Sequence, residues 1–366
     1  MGAGPAALAT SRREPCRVSD RKTEIETFLE NAGWSGAEVT LLAKDASYRV
    51  YHRVLRDGAR AVLMDAPPAL EDVRPFLDIA GQLRRFGYSA PAILAEDVPA
   101  GLLLLEDFGD RTFTRILADP DERNWSEEAL YAIAVDLLAD LHERAPQIGF
   151  AAPPYDGGRL VEEADRMLRW YAPLTLGDVV SEDVAEAYRG AWRDAVPVMT
   201  HGADTLVLRD FHVDNLMILE GREGLARCGL LDFQDALSGS PAYDLVSLLQ
   251  DARRDLAPGL EAAMLARYRE RRKVADWDAF LRAYHALGAQ RAIKILGQFG
   301  RQQGFFGRTS YMVHIPRCWA HIEADVDRAG LDGVAAWLDR EMPPSVRRIP
   351  EPDRRLPSSI SPEIKR

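Results

Sequence analysis

The stretch from Thr205 to Asp244, TLVLRDFHVDNLMILEGREGLARCGLLDFQDALSGSPAYD, constrains this chain more than any other. Asp210 and Asn215 are separated by five positions and flanked by apolar runs, Val207-Leu208 before and Leu216–Leu219 after. Glu220–Gly224 reads as a turn, and a second apolar run, Gly229-Leu230-Leu231, ends on Asp232. The expectation is two short strands joined by a turn that carry Asp210, Asn215 and Asp232, with Asp244 opening a helix beyond. Any one of these polar residues fits an ordinary loop. Together they supply what phosphoryl transfer asks of side chains: an Asp to orient a hydroxyl, and an Asn and an Asp to hold Mg²⁺.

Length and composition narrow the rest. A chain of 366 residues exceeds the size of one ordinary domain and predicts two lobes. Its net charge of −11 excludes a general nucleic-acid or membrane-surface binder. The three cysteines, Cys16, Cys228 and Cys318, lie far apart, match no zinc spacing, and point to a reducing cytoplasmic setting. No apolar run reaches the ~20 residues of a membrane span. The first residues lack the basic start and long apolar segment of a signal peptide. Residues 1–20 and the Pro- and Arg-rich tail 343–366 read as disordered.

Between these tails the hydrophobic period changes once. Ile25, Phe28 and Leu29 mark a short helix over 21–31. Tyr48–Leu55 and Arg60–Asp65 then alternate as strands around an Asp57-Gly58 turn. A helix follows, with Val73, Phe76, Leu77 and Ala80 on one stripe, and a second hairpin pairs Ala92–Asp97 with Leu102–Glu106. After Gly109 the pattern is helical. Ser126 caps a helix that runs to Pro146, and further helices are expected at Leu160–Tyr171, Ser181–Val196, Asp244–Arg254, Gly259–Arg271, Trp277–Phe299 and Ile315–Ala329. The only strands expected in this half are those of the Asn215–Asp232 hairpin. The fold class is α+β: a small antiparallel lobe over 21–107 and a larger helical lobe over 108–342, the two-lobed architecture of protein kinases.

The spacing Asp210, Asn215, Asp232 matches the kinase catalytic loop and its metal-binding Asp. With Asp45-Ala-Ser-Tyr-Arg-Val-Tyr, Val62–Pro68, Leu103–Gly109, Leu208–Asn215, Leu231–Asp235 and Ala289–Leu296, the chain resembles the aminoglycoside phosphotransferase-like branch of the kinase superfamily. Within that branch it resembles the bacterial anomeric kinases of N-acetylmuramate and N-acetylglucosamine, which act in cell-wall recycling. The resemblance implies ATP and Mg²⁺, a small amino sugar as acceptor, no nucleic-acid or membrane partner, and a monomer. It makes Asp210 the residue that orients the attacking hydroxyl, and Asn215 and Asp232 the metal ligands. Arg209 and Asp244 support the loop, and His212 is structural. Ser47, Arg49, Arg53, Glu106 and Phe108 are the expected ATP contacts, the last two through main chain at the lobe junction.

Two features depart from the superfamily pattern. Leu208-Arg209 stands where aminoglycoside phosphotransferases carry His-Gly, and Met64 stands where kinases carry the ATP-binding Lys. A glycine-rich phosphate loop is also missing. Between Ala279 and Pro316 there is no Asp or Glu, yet Arg282, Arg291, Lys294, Arg301 and Arg308 are present. Gln290 and Lys294 share a helix face with Arg291 beside it, so this stretch is either a solvated brace or a site for an anionic acceptor. Trp170 and Tyr171 are the aromatics expected to stack on a sugar ring. The alternatives are a phosphotransferase for another small hydroxyl substrate, an aminoglycoside or a ketoamine, and a nucleotide-binding pseudokinase.

Overall fold

The computed structural model describes residues 18–44, 48–357 and 359–360. The expected phosphate contact Ser47 and most of the N-terminal extension lie outside these residues. The chain divides into two units, one made of the residues up to Leu77 with Pro91–Asp107, the other of Asp78–Ala90 with Phe108 onward.

In the first unit, α1 (Val18–Asn31) precedes a five-stranded antiparallel sheet of β1 (Glu38–Lys44), β2 (Val50–Arg56), β3 (Ala59–Asp65), β4 (Ile93–Asp97) and β5 (Leu102–Glu106), in the order β1-β2-β3-β5-β4. Asp57 and Gly58 both take positive φ, 49° and 81°, and join β2 to β3 in the two-residue turn whose twist suits paired strands. Alternation then sorts the faces. Val54, Ala61, Leu63, Leu102 and Leu104 close with Phe28 and Leu29 of α1 into one core, each large aliphatic contributing about 1.5–3 kcal/mol by its burial. Met64 is fully buried and pairs with Tyr51 and Leu103 in register, so β3 carries an apolar side chain at this position. Helix α2 (Arg74–Arg85) is divided between the units.

The second unit is helical: α3 (Phe113–Ala118), α4 (Glu127–Ile148), α5 (Gly157–Arg166), α6 (Ala172–Leu176), α7 (Glu182–Met199), α8 (Ala242–Leu249), α9 (Leu260–Arg272), α10 (Trp277–Phe306), α11 (Ile315–Ala329) and α12 (Asp332–Glu341). Ser126 starts α4 by accepting from Ala129 N–H, and Gly149 ends it in the left-handed region. Two two-stranded ladders sit between α7 and α8, where one hairpin was expected. β6 (Thr205–Val207) pairs with β9 (Leu237–Gly239), and β7 (Leu216–Ile218) with β8 (Cys228–Leu230). Asp210, Asn215 and Asp232 therefore lie in the loops that leave or enter these strands. Among the described residues no helix is long and apolar enough to cross a membrane.

Two expectations fail here for reasons of packing. Trp170 and Tyr171 do not face a ligand. They fall in a π-helical turn, Met167–Tyr171, and are 1% and 0% exposed. Tyr171 donates its hydroxyl to Arg348 O (2.8 Å) and accepts from Trp319 Nε1 (2.9 Å). Helix α10 runs directly over this turn. A Cβ at Gly300 would lie 2.5 Å from Trp170 O, and one at Gly297 2.5 Å from the Arg166 carbonyl carbon. Residues 347–356 of the expected tail also pack on the helical unit, which their composition does not suggest. Arg347 bridges Glu323 and Asp339, Gln303 donates to Glu351 O, and the Leu356 side chain fills the space over Gly304.

Gly300→Ala is expected to destabilise the protein by about 1–3 kcal/mol through overpacking. Gly81→Ala in α2, where nothing lies within 4 Å of the new Cβ, should instead stabilise by up to ~1 kcal/mol through helix propensity. Urea unfolding of the two variants checks the opposite signs.

Candidate active site

The loop that carries Asp210 is held from behind by Asp244. Its buried carboxylate accepts from Leu208 N–H (2.7 Å) and Arg209 N–H (2.8 Å). With those two amides fixed, Arg209 adopts a left-handed φ of 69°, a conformation that costs a non-glycine residue energy and persists only where the surroundings dictate it. His142 Nε2 lies 3.6 Å behind Asp244, and its Nδ1 is 2.8 Å from the Tyr268 hydroxyl. The loop then closes on itself, with His212 N–H donating to Asp210 O (3.1 Å) and Asn215 N–H to His212 O (2.9 Å). Asp210 is turned outward, with 42% of its side-chain surface open.

Asn215 donates from Nδ2 to Asp210 O (2.9 Å) and approaches Asp232 Oδ2 at 3.4 Å. That orientation fixes which end of the amide is nitrogen and turns the carbonyl oxygen away from Asp210. Asp232 also has a left-handed φ, 56°, and takes Gln234 Nε2 at 2.7 Å. The main chains are coupled as well, since Leu231 N–H donates to Asn215 O (2.9 Å). It is the amide nitrogen of Asn215 that faces Asp232; an amide carbonyl oxygen and a carboxylate are the hard, sparse donors that Mg²⁺ accepts when water and phosphate supply the other ligands, so the chemistry of these two residues fits that ion. Among the described residues there is no cluster of three or more His, Cys, Asp or Glu side chains suited to a metal. His212 Nε2 faces two donors, Asn215 Nδ2 (3.4 Å) and Arg253 Nη1 (3.5 Å), so it accepts and the ring proton belongs on Nδ1. Burial, then Arg253, depress its pKa and keep the ring neutral.

The charge around Asp210 comes from α10. Arg291 Nη2 lies 3.9 Å from Asp210 Oδ1 and donates to Ser247 Oγ (2.9 Å). Lys294 Nζ donates to the Tyr243 hydroxyl (3.1 Å) and lies 3.3 Å from Glu163 Oε2. Burial alone would raise the Asp210 pKa, but Lys294 and then Arg291 outweigh it and hold the carboxyl below its usual range. Glu163 is the residue that the sequence reading overlooked. It pairs with both Arg209 and Lys294 and accepts from the Tyr155 hydroxyl (2.5 Å). Against a burial effect that would raise its pKa, Lys294 and then Arg209 bring it down to about 2. The signal was present, because Glu163 sits on the same helical stripe as Leu160, Ala164 and Met167. An acid on an apolar face needs a buried partner.

The other expected contact residues have protein partners of their own. Gln290 is fully buried and donates to Leu160 O (2.9 Å), bracing α10 against α5. Lys294, 5% exposed, is committed to Glu163 and Tyr243. In the first unit Arg53 meets Asp107 through two nitrogens (2.8 and 3.2 Å), so a carboxylate answers its charge. Arg49 is buried just ahead of β2, and Glu106 Oε2 accepts from Ala92 N–H (3.1 Å). The Phe108 ring packs over Gly229 and under the Arg222 guanidinium.

Comparison with known proteins bears directly on this loop. The family model described as the phosphotransferase enzyme family matches residues 38–281. The chain belongs to that family. This phosphotransferase is 36% identical to an N-acetylmuramate/N-acetylglucosamine kinase of Caulobacter vibrioides over 90% of its own length and 99% of the relative's. It is 32% identical to a protein of the same name from Pseudomonas aeruginosa, over 81% and 87%. A solved microcompartment-associated aminopropanol kinase superposes with a TM-score of 0.58 at 17% identity, covering 86% of this chain and 99% of that one, and shares the fold. A phosphotransferase of this kind takes ATP as co-substrate.

Glu163→Gln should cost this phosphotransferase about 3–5 kcal/mol at neutral pH, because two buried cations lose their counter-charge. The folded-state pKa of Glu163 is depressed, so its contribution is complete above the ordinary value of 4.5 and disappears as pH falls toward about 2. Chemical denaturation at several pH values should show the gap between wild type and variant closing over that window.

Proposed function

We propose that this phosphotransferase moves the γ-phosphoryl group of ATP to the C1 hydroxyl of N-acetylmuramate and N-acetylglucosamine, giving sugar 1-phosphates within cell-wall recycling. The observation that carries the reading is the open Asp210 carboxylate on a loop whose Asn215 also approaches Asp232, in a chain that aligns over most of its length with kinases of those two sugars.

Asp210 accepts a hydrogen bond from the anomeric hydroxyl, aligns its oxygen on the phosphorus and takes the proton as the bond forms. That hydroxyl is more acidic than an ordinary alcohol because the ring oxygen withdraws electrons, so positioning supplies most of the effect. A low pKa suits the task, since the carboxylate is already ionised at neutral pH. Asn215 and Asp232 would hold Mg²⁺, which when bound neutralises charge on the phosphates. The hydroxyl oxygen is the nucleophile, so the sugar C–O bond stays intact and the anomeric configuration is retained. Arg49 and the main chain at Glu106 are the nucleotide contacts assigned to the first unit. Cations around Asp210 disfavour a polycationic aminoglycoside as acceptor.

With ATP, Mg²⁺ and a panel of sugars, phosphorus NMR should locate the new phosphate on C1, and a 1-O-methyl glycoside should not react. Phosphorylation of that glycoside at another hydroxyl would overturn the assignment. Asp210→Asn should lower turnover by ~10²–10⁴-fold while nucleotide binding, read by calorimetry, persists. Turnover close to wild type would remove Asp210 from its role.

A further inference from the structure

The two acceptors differ in one group. N-acetylmuramate carries a lactyl ether, with its carboxylate, two ring carbons from the reacting hydroxyl, whereas N-acetylglucosamine has a hydroxyl there. A protein that separates them needs a cation near Asp210 that remains open to a ligand. The cations of α10 do not qualify. Lys294 is neutralised by Glu163, and Arg291, 6% exposed, lies against Asp210 itself.

We propose that Arg253 reads an anionic substituent on the acceptor and is the specificity-determining residue of this site. The proposal rests on the amino-sugar reading above and adds the residue that discriminates between the two sugars. Arg253 lies in the loop after α8, and 40% of its side chain is open. Its guanidinium borders the catalytic loop: Nη1 is 3.5 Å from His212 Nε2 and Nε is 3.9 Å from Asp214 Oδ2. Among the described residues its one close carboxylate is Asp251, buried, with Oδ1 3.3 Å from Nη1 and 3.1 Å from the Arg253 backbone nitrogen.

These contacts are loose for arginine. Arg317 holds Asp255 through two nitrogens at 2.6 Å each, and Arg267 holds Asp136 through two at 2.7 Å each. Arg253 makes no such two-pronged bond, and its Nη2 has no partner among the described residues. A guanidinium tethered on one edge and open on the other presents the parallel donors that a carboxylate accepts. The groups around it decide the sign of what it attracts. Arg317, which also approaches this loop by donating to Ala252 O (2.7 Å), is satisfied by Asp255. Asp214 is occupied on its other oxygen by Thr114. Among the described residues the site thus keeps an accessible cation beside His212, two positions along the loop from Asp210.

The test measures kcat/KM of wild type, Arg253→Ala and Arg253→Lys with N-acetylmuramate, its lactyl methyl ester and N-acetylglucosamine. A hydrogen bond to a charged group corresponds to roughly ten- to a hundred-fold. Arg253→Ala should lose that much more on the free acid than on either uncharged sugar, and Arg253→Lys should recover part of it. The wild-type preference for acid over ester should shrink with added salt, and that of Arg253→Ala should not change. Equal losses on all three substrates, or no loss on any, would overturn the proposal and make Arg253 a brace for Asp251. Wild-type activity on N-acetylglucosamine alone would leave the amino-sugar reading standing and overturn only the role of Arg253. Activity on neither sugar would overturn both. If the alanine variant melts below assay temperature, Arg253→Gln gives the same comparison with more of the side chain retained and no charge.

Discussion

A single buried carboxylate, that of Glu163, answers two cations that would otherwise be untenable inside the helical unit. Arg209 belongs to the loop that carries Asp210, Lys294 to α10, and Glu163 to α5, so one charge ties three elements together. Breaking such a pair strands the remaining charges in a medium that solvates them poorly, which is why removal costs far more than formation contributes. Tyr155 and Tyr243 complete the arrangement with hydroxyls and ring faces. The Asp210 loop is therefore anchored twice, by its amides to Asp244 and by the Arg209 guanidinium to Glu163.

That double anchor has a chemical consequence one residue further on. With Arg209 held in a left-handed conformation, Asp210 points outward, and Lys294 and Arg291 lower its proton affinity despite its surroundings. A carboxylate held ionised and oriented in this way is suited to a hydroxyl that gives up its proton late, when the bond to phosphorus is forming. On the proposed reading the same cations disfavour a polycationic acceptor, and the partner proposed for an anionic substituent is the incompletely paired guanidinium of Arg253.

Much of the fold was legible because it is local. The Asp57-Gly58 turn, the alternation of β3 and the long stripes of α4 and α10 are each decided by neighbours in the chain. The candidate triplet Asp210, Asn215 and Asp232 was legible for the same reason, since its members lie in one stretch with diagnostic spacing. The pairing of β6 with β9 was not. Three-residue strands carry too little pattern to declare a partner, and their ladder forms only because the intervening chain returns. Trp170 and Tyr171 misled because an aromatic pair in a helix reads the same whether it faces a sugar or a neighbouring helix. Two glycines of α10, far along the chain, decided the matter by letting that helix approach their backbone.

By itself the sequence determined the α+β class, the order of most of the longer elements and the stretch that carries the candidate site, because periodicity and turn residues act over a few positions. It also showed an acid-free run of cations on α10 without saying what those cations face. Tertiary structure alone decided that Lys294 meets Glu163, that Arg291 meets Asp210, and that Arg253 stays open. Charge pairing depends on distance and burial in space, and residues remote in sequence supply both.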